Sequence, residues 1–496
     1  MRHLKELLLH AGQYLAGRVG LMLLGFLSFP VLTRILPVAQ YGELSLALKL
    51  CLLWTVLSKC GVQNAALRFF PEYSKTSPLD KQACSSTLVI TVAGIAALLL
   101  LCGVALVRFT PLGSIPTVVA LAPLLIPLAF VRSIQPTFSG LLRSEQRTWL
   151  FNICEISGKA MGIFLSIAAL LLIARDVRFY LSGLVMAEGL VALAIGFWFY
   201  RNGLLKVATF RPGVAAIALR FSVPLIAYEL TSVILDSGDR ILVGRYLGLT
   251  QLGLYSAAYS VATYAEEALM VPVNMALLPA YMKVWVEEGA ASTARFLSHA
   301  VDLFVMGSGA IAMLVYVNAH DLIAILASRK FAAASSLLPI LVLGLLVYAV
   351  HIFFNAPLII HKRSMILTAV TTACCIANIG MNIVLLPRMG IAGAAWATLF
   401  SYVLMVVALV VISRRYMVVR IPISALVCSV GLVFLIQALM NLGEFSSPWL
   451  NLVTKAPASI LLYAMGLMIL RPNLRNRIFS QRQNRITTYA SCTPME

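Results

Sequence analysis

The chain has 496 residues, 61% of them hydrophobic and only 11% charged, with a net charge of +19. A water-facing globular protein carries roughly 25% charged residues, so this composition excludes a soluble fold, and no polar break exceeds about twenty residues, too short for a separate soluble domain. The 38 Lys and Arg are scattered along the chain instead of gathered in one patch, which argues against nucleic acid as a partner and for membrane topology and anionic lipid or substrate.

About fourteen apolar stretches follow one another, each long enough to cross the ~30 Å hydrocarbon core as a helix. Spans are expected at 10–32, 43–66, 84–107, 117–139, 151–173, 180–200, 214–236, 252–281, 297–318, 337–360, 364–386, 391–412, 421–440 and 450–470. The lead-in MRHLKELLLHAG is basic and amphipathic. Arg18 interrupts what would be a signal-peptide core and the apolar run continues to Leu32, so an uncleaved first helix is expected. An even number of crossings returns both termini to one side. The breaks on that side hold 22 Lys and Arg against 9 on the other, which puts both termini in the cytoplasm. The tail RPNLRNRIFSQRQNR is expected to contact cytoplasmic headgroups.

An internal repeat is legible. Residues 34–45 are RILPVAQYGELS and residues 240–256 are RILVGRYLGLTQLGLYS, the same RIL followed by the same Q-x-G-x-x-S after a five-residue insertion. Each copy later meets Pro-x-Tyr-x-Lys, at Pro71, Tyr73 and Lys75 and again at Pro279, Tyr281 and Lys283. The expected architecture is an all-α membrane protein. Residues 1–200 form a six-helix lobe and 201–412 a second of parallel orientation. Residues 413–470 form two appended helices, and 471–496 a cytoplasmic tail. Two-lobed membrane proteins with a site at the repeat interface are typically alternating-access transporters.

The stretches SFPVLTRILPVAQYGELSLAL and GVQNAALRFFPEYSK resemble the first two helices of Wzx-type polysaccharide flippases, and FSVPLIAYELTSVILDSGDRILVGRYLGLTQLGLYSAAYSVA resembles their seventh and eighth. The resemblance covers at least 10–412, with Asp239-Arg240 followed by Gly253, Tyr255 and Ser256 as its marker. That family belongs to the group that also holds lipid II flippases and multidrug extruders. The resemblance implies a protein of the bacterial cytoplasmic membrane that carries an undecaprenyl-pyrophosphate-linked oligosaccharide from the cytoplasmic to the outer leaflet. It would work beside a polysaccharide polymerase or export complex.

Charges inside spans cost at least roughly 2.5–3.5 kcal/mol each on insertion scales and so call for a partner or a purpose. Arg18, Lys59, Arg132, Lys159 and Arg220 fall six to eight residues from the cytoplasmic boundary, roughly 9–12 Å deep, where a pyrophosphate would enter and meet charge-assisted hydrogen bonds. Snorkelling to headgroups is the alternative, and Lys159 stands one turn after Glu155, an apt partner. Lys49 and Lys455 are expected to be structural or interfacial. Glu188, Glu229, Glu266 and Glu267 fall nearest mid-membrane, and low dielectric there favours reversible protonation, so the first three are candidates for ion coupling. Salt bridges to neighbouring cations are the competing role. Asp236 and Asp239 lie at the outer end of span 7, with Asp239-Arg240 expected to fix a loop. Asn378 and Asn382, one turn apart, suit interhelical hydrogen bonds.

The nine cysteines and six histidines show no ligand spacing, and there is no Walker motif or Ser/His/Asp arrangement. No cofactor and no enzymatic reaction are expected. A multidrug extruder, which needs carboxylates for organic cations, a lipid II flippase and a scaffold in polysaccharide assembly remain alternatives.

Overall fold

The computed structural model describes residues 2–109, 116–440 and 447–471. The basic tail beyond Arg471 lies outside the described residues. Backbone groups in hydrocarbon have no water to bond, so apolar runs of this length must satisfy their hydrogen bonds internally as helices. Among the described residues there is no strand. The helices are α1 (Arg2–Ile35), α2 (Val38–Lys59), α3 (Val62–Thr76), α4 (Pro78–Phe109), α5 (Pro116–Ser144), α6 (Thr148–Leu172) and α7 (Val177–Arg201). They continue with α8 (Pro212–Leu322), α9 (Leu338–Ala349), α10 (His351–Ile360), α11 (Ser364–Met389), α12 (Ile391–Ser413), α13 (Ile423–Met440) and α14 (Pro448–Leu470).

Twelve helical runs among the described residues are long and apolar enough to cross a membrane. One of them is 103 residues long and folds back at Gly248 (φ 83°, ψ 175°) and Gly289 (φ 81°, ψ −172°). It therefore supplies three crossings, called here the first (212–247), second (249–288) and third (290–322) limbs of α8, and the crossings number fourteen. The near face is the end of the bundle at which α1 begins; the far face is the end at which it stops.

Several boundaries differ from the sequence reading, and residues 282–296, expected as a break, are helical except for a turn at Gly289. Residues 237–251, expected as a loop, are helical up to a single-residue turn. Gly248 adopts a left-handed φ that a side chain would strain, so Asp239 and Arg240 are buried within the helix instead of fixing a loop. The second span is broken at Cys60 and Gly61, both left-handed (φ 47° and 66°), which separates α2 from the amphipathic α3.

Packing separates into distinct cores. Two cores draw their buried residues from Leu32 to Ala218, around Leu128, Leu181 and Phe199, while the largest spans Leu235–Val419 and adds Phe29 and Tyr41. A small fourth core fastens α13 and α14 onto the third limb through Met313, Leu432, Ile436 and Tyr463. As their spacing implied, Asn378 Nδ2 donates to Ser401 Oγ across α11 and α12 at 2.8 Å.

Candidate functional site: a charged cleft along α8

The two repeat copies meet. Gly42 of α2 and Gly253 of the second limb cross so closely that a Cβ at Gly42 would run into the Leu249 carbonyl oxygen, and one at Gly253 into the Val38 carbonyl oxygen. Ser45 Oγ donates to Ser256 Oγ at 2.8 Å, and the Tyr41 and Ser260 hydroxyls are 3.2 Å apart. Further ties close this face. Arg34 Nη2 donates to the Ile325 carbonyl at 2.7 Å, and Lys330 Nζ to the carbonyls of Arg34 and Leu36 at 2.9 and 3.2 Å. The Tyr41 ring stands edge-on to Phe331, 5.6 Å between centroids. Small residues at the crossing allow the close approach, as in membrane helix pairs generally. The far face is sealed.

Below the seal, ionic groups face one another. Lys49 of α2 bonds Asp236 of the first limb at 3.2 Å, and nearer the near face Lys59 pairs with Glu229, which Gln63 Nε2 also approaches at 3.4 Å. Asp236 accepts from Ser237 Oγ (2.8 Å) and Tyr259 Oη (3.2 Å), with Arg240 stacked 3.7 Å from the centre of the Tyr259 ring. Asp236 keeps 47% of its side-chain surface and Glu229 30%, so these carboxylates border open space although they sit midway along the crossing. Asp239, one turn on, is sealed: Tyr255 Oη donates to it at 2.5 Å and Thr398 Oγ1 at 3.3 Å.

A second seam runs between α1 and the second limb. Tyr264 Oη donates to the Gly25 carbonyl at 3.0 Å, with the Tyr264 ring edge-on to Phe26 and Phe29. Toward the near face from there, Arg18 and Lys159 are exposed and share Glu267 as an electrostatic neighbour.

The sequence candidates are therefore distributed as follows. Arg18, Lys59, Lys159, Glu229, Glu266 and Glu267 lie along the two seams of α8, with Glu266 and Glu267 half-buried. Arg220 is exposed on the first limb, beside a Phe69–Phe221 edge contact at 5.3 Å. Arg132 and Glu188 take each other in a two-pronged pair, Nε to Oε2 at 2.8 Å and Nη2 to Oε1 at 2.6 Å, between α5 and α7. Lys159 does not pair with Glu155, whose carboxylate accepts from Ser139 at 2.8 Å instead. Lys49 and Asp236 were undervalued in the sequence. Their one signal is that an intramembrane cation stands four residues after the first repeat motif and an acid four residues before the second. The Arg240 side chain, counted among the outer loops, is buried and stacked on Tyr259. Among the described residues no group of three or more His, Cys, Asp or Glu is arranged to hold a metal.

The profile of the family described as polysaccharide biosynthesis protein matches residues 10–285. No curated protein matches the chain significantly. Among solved structures, lipid II flippase MurJ in an inward closed conformation is similar with a TM-score of 0.62 at 14% identity, covering 92% of this chain and 98% of that one. An inward-facing multidrug resistance MATE family transporter of the MOP superfamily gives 0.62 at 12% identity over 79% and 97%. A mutant of the Vibrio cholerae MATE transporter VcmN gives 0.56 at 14% over 83% and 96%. At such identities the likeness is one of fold.

Proposed function

The chain belongs to the polysaccharide biosynthesis protein family, and on that premise we propose that it flips an undecaprenyl-pyrophosphate-linked oligosaccharide repeat unit across the bacterial cytoplasmic membrane by alternating access. The near face is the cytoplasmic one, on the strength of the Lys and Arg excess there. The lobes are residues 1–200 and 201–412. The cleft between them is sealed at the far face and charged below the seal, which suits a headgroup arriving from the inner leaflet. The observation that carries this reading is the row of cations Arg18, Lys49 and Lys59 along the N-terminal side of the cleft, together with exposed Arg220 opposite. Arg and Lys hold phosphate oxygens through charge-assisted hydrogen bonds.

The polyprenyl tail stays in lipid. An apolar cavity of about 360 Å³ between the third limb, α9, α12 and α13, lined by Ala312, Leu343, Val347, Trp396 and Phe434, supports a place for it on the C-terminal lobe. With no nucleotide motif in the sequence, an ion gradient coupled through Glu229 or Glu266 is the energy source. Lobe rocking opens the Ser45–Ser256 seal and delivers the glycan to the polymerase or export machinery outside.

The deciding experiment deletes the gene in its host and measures polyprenyl-pyrophosphate oligosaccharides by mass spectrometry, scored by leaflet. Accumulation of a complete repeat unit on the cytoplasmic leaflet is expected, and its mass names the glycan. Build-up of lipid II would move the protein to that substrate. No accumulation, with heightened sensitivity to organic cations, would make it an extruder.

A further inference from the structure

We propose that the two ion pairs crossing the cleft are displaceable latches. The anionic headgroup takes the place of Glu229 on Lys59 and then of Asp236 on Lys49, so substrate entry itself unfastens the lobes. This inference rests on the proposed flippase reading and assigns Lys49 to a second, deeper anion subsite, with Asp236 as the group that the anion displaces.

The charges are sorted by side. Both cations stand on α2, and both acids stand on the first limb of α8. A phosphate oxygen and a carboxylate oxygen make the same demand on an ammonium group, a charge-assisted hydrogen bond. Exchange of one for the other therefore leaves no lysine uncompensated, whereas simply pulling the lobes apart would strand both charges in low dielectric. A pyrophosphate carries more negative charge than the carboxylate it replaces, so it competes on favourable terms.

Exposure says which pairs can be exchanged. Asp236 and Glu229 are open to an incoming group at 47% and 30% of their side-chain surface. Asp239 is closed off by Tyr255 and Thr398, and Arg132–Glu188 joins two helices on the same side of the cleft, so exchange there would loosen nothing between lobes. Once displaced, Asp236 is not orphaned, because Ser237, Tyr259 and Arg240 on its own helix run remain to hold it. Lys59 and Lys49 are ten residues apart on α2, roughly 15 Å of helix rise. The two sites therefore form successive steps leading from the near face toward the sealed end.

The test is calorimetric titration of inorganic pyrophosphate into the full-length protein in nanodiscs, comparing wild type with Glu229→Gln, Asp236→Asn, Lys59→Gln and Lys49→Gln. Removing a competing carboxylate tightens binding about tenfold, equivalent to about 1.4 kcal/mol, while each lysine variant weakens it. A purely structural ion pair would behave otherwise, since its loss would leave affinity unchanged or lower it. Unchanged or weaker binding in both acid variants, with the lysine variants also weakened, overturns the latch and leaves the anion site standing. If only one acid variant folds, its shift alone decides. No pyrophosphate binding by any of the proteins overturns the anion site and the latch together.

Discussion

Ser45 and Ser256, corresponding positions of the internal repeat, are hydrogen-bonded to each other at 2.8 Å. Each copy of Q-x-G-x-x-S thus forms half of one contact, with its glycine against the other helix's backbone and its serine against its counterpart. If the lobes rock, this contact must part. With Ser45 and Ser256 both changed to Cys in a background free of other cysteines, the thiols fall within disulfide reach. Oxidation is expected to lock the far face and halt transport, and reduction to restore it. Transport continuing through the cross-linked protein would show that this seal never opens.

The glycines make a second, independent prediction. A Cβ at Gly42 would lie against the Leu249 carbonyl oxygen and 2.7 Å from the Gly253 nitrogen, and backbone cannot give way as a side chain can. Gly42→Ala should therefore spread the crossing at about 1–3 kcal/mol, the usual range for overpacking. That bias favours the state open at the far face. Labelling of a cysteine placed at position 45 by a membrane-impermeant maleimide from outside is expected to speed up. An unaltered labelling rate would mean that the crossing relaxes without opening.

Much of this architecture was legible in the sequence. Hydrophobic run length alone gave fourteen crossings, because hydrocarbon leaves the backbone no other option. The repeat motif implied two lobes of like orientation, whereas the contact between its two copies at Gly42 and Gly253 is a product of the fold. The ionic partnerships were not legible: Lys59 and Glu229 are separated by 170 residues and Arg132 and Glu188 by 56. Which faces of these helices meet depends on rotations and breaks, such as the left-handed pair at Cys60 and Gly61, that a run of apolar residues does not specify. The tightness of the reversal at Gly248 was not legible for a related reason. A single glycine with a left-handed φ does the work that a loop of several polar residues usually does.

Arg132 and Glu188 illustrate how pairing changes an expectation. From the sequence Arg132 is a candidate for substrate and Glu188 for ion coupling, with snorkelling and a salt bridge as their respective alternatives. In the fold the guanidinium grips both carboxylate oxygens, geometry that a lysine cannot reproduce. Arg132→Ala and Glu188→Ala should each destabilise the protein by about 3–5 kcal/mol through the charge left behind. Replacing both residues with leucine should recover most of that loss. Thermal unfolding of the three variants in detergent measures it. Equal losses in the double variant and the single variants would assign the pair a role beyond mutual neutralisation.

Arg18 is the reverse case. It is exposed on α1 facing the seam with the second limb and has no ion pair among the described residues. It is exposed, with Glu267 only as an electrostatic neighbour, so Arg18→Ala should change stability by no more than about 0.5 kcal/mol, as for other exposed positions. If it receives the pyrophosphate, the same substitution abolishes accumulation of surface polysaccharide. Arg18→Lys, which keeps a charge but loses the planar fork, retains part of the function. Arg220→Ala on the opposite side should behave alike, because it too is exposed and without an ion pair among the described residues. Expression, melting temperature and polysaccharide output measured together separate binding from folding. Full output from both alanine variants would remove the entry site from the cleft, and the deeper Lys49 and Lys59 positions would then have to bind the headgroup unaided.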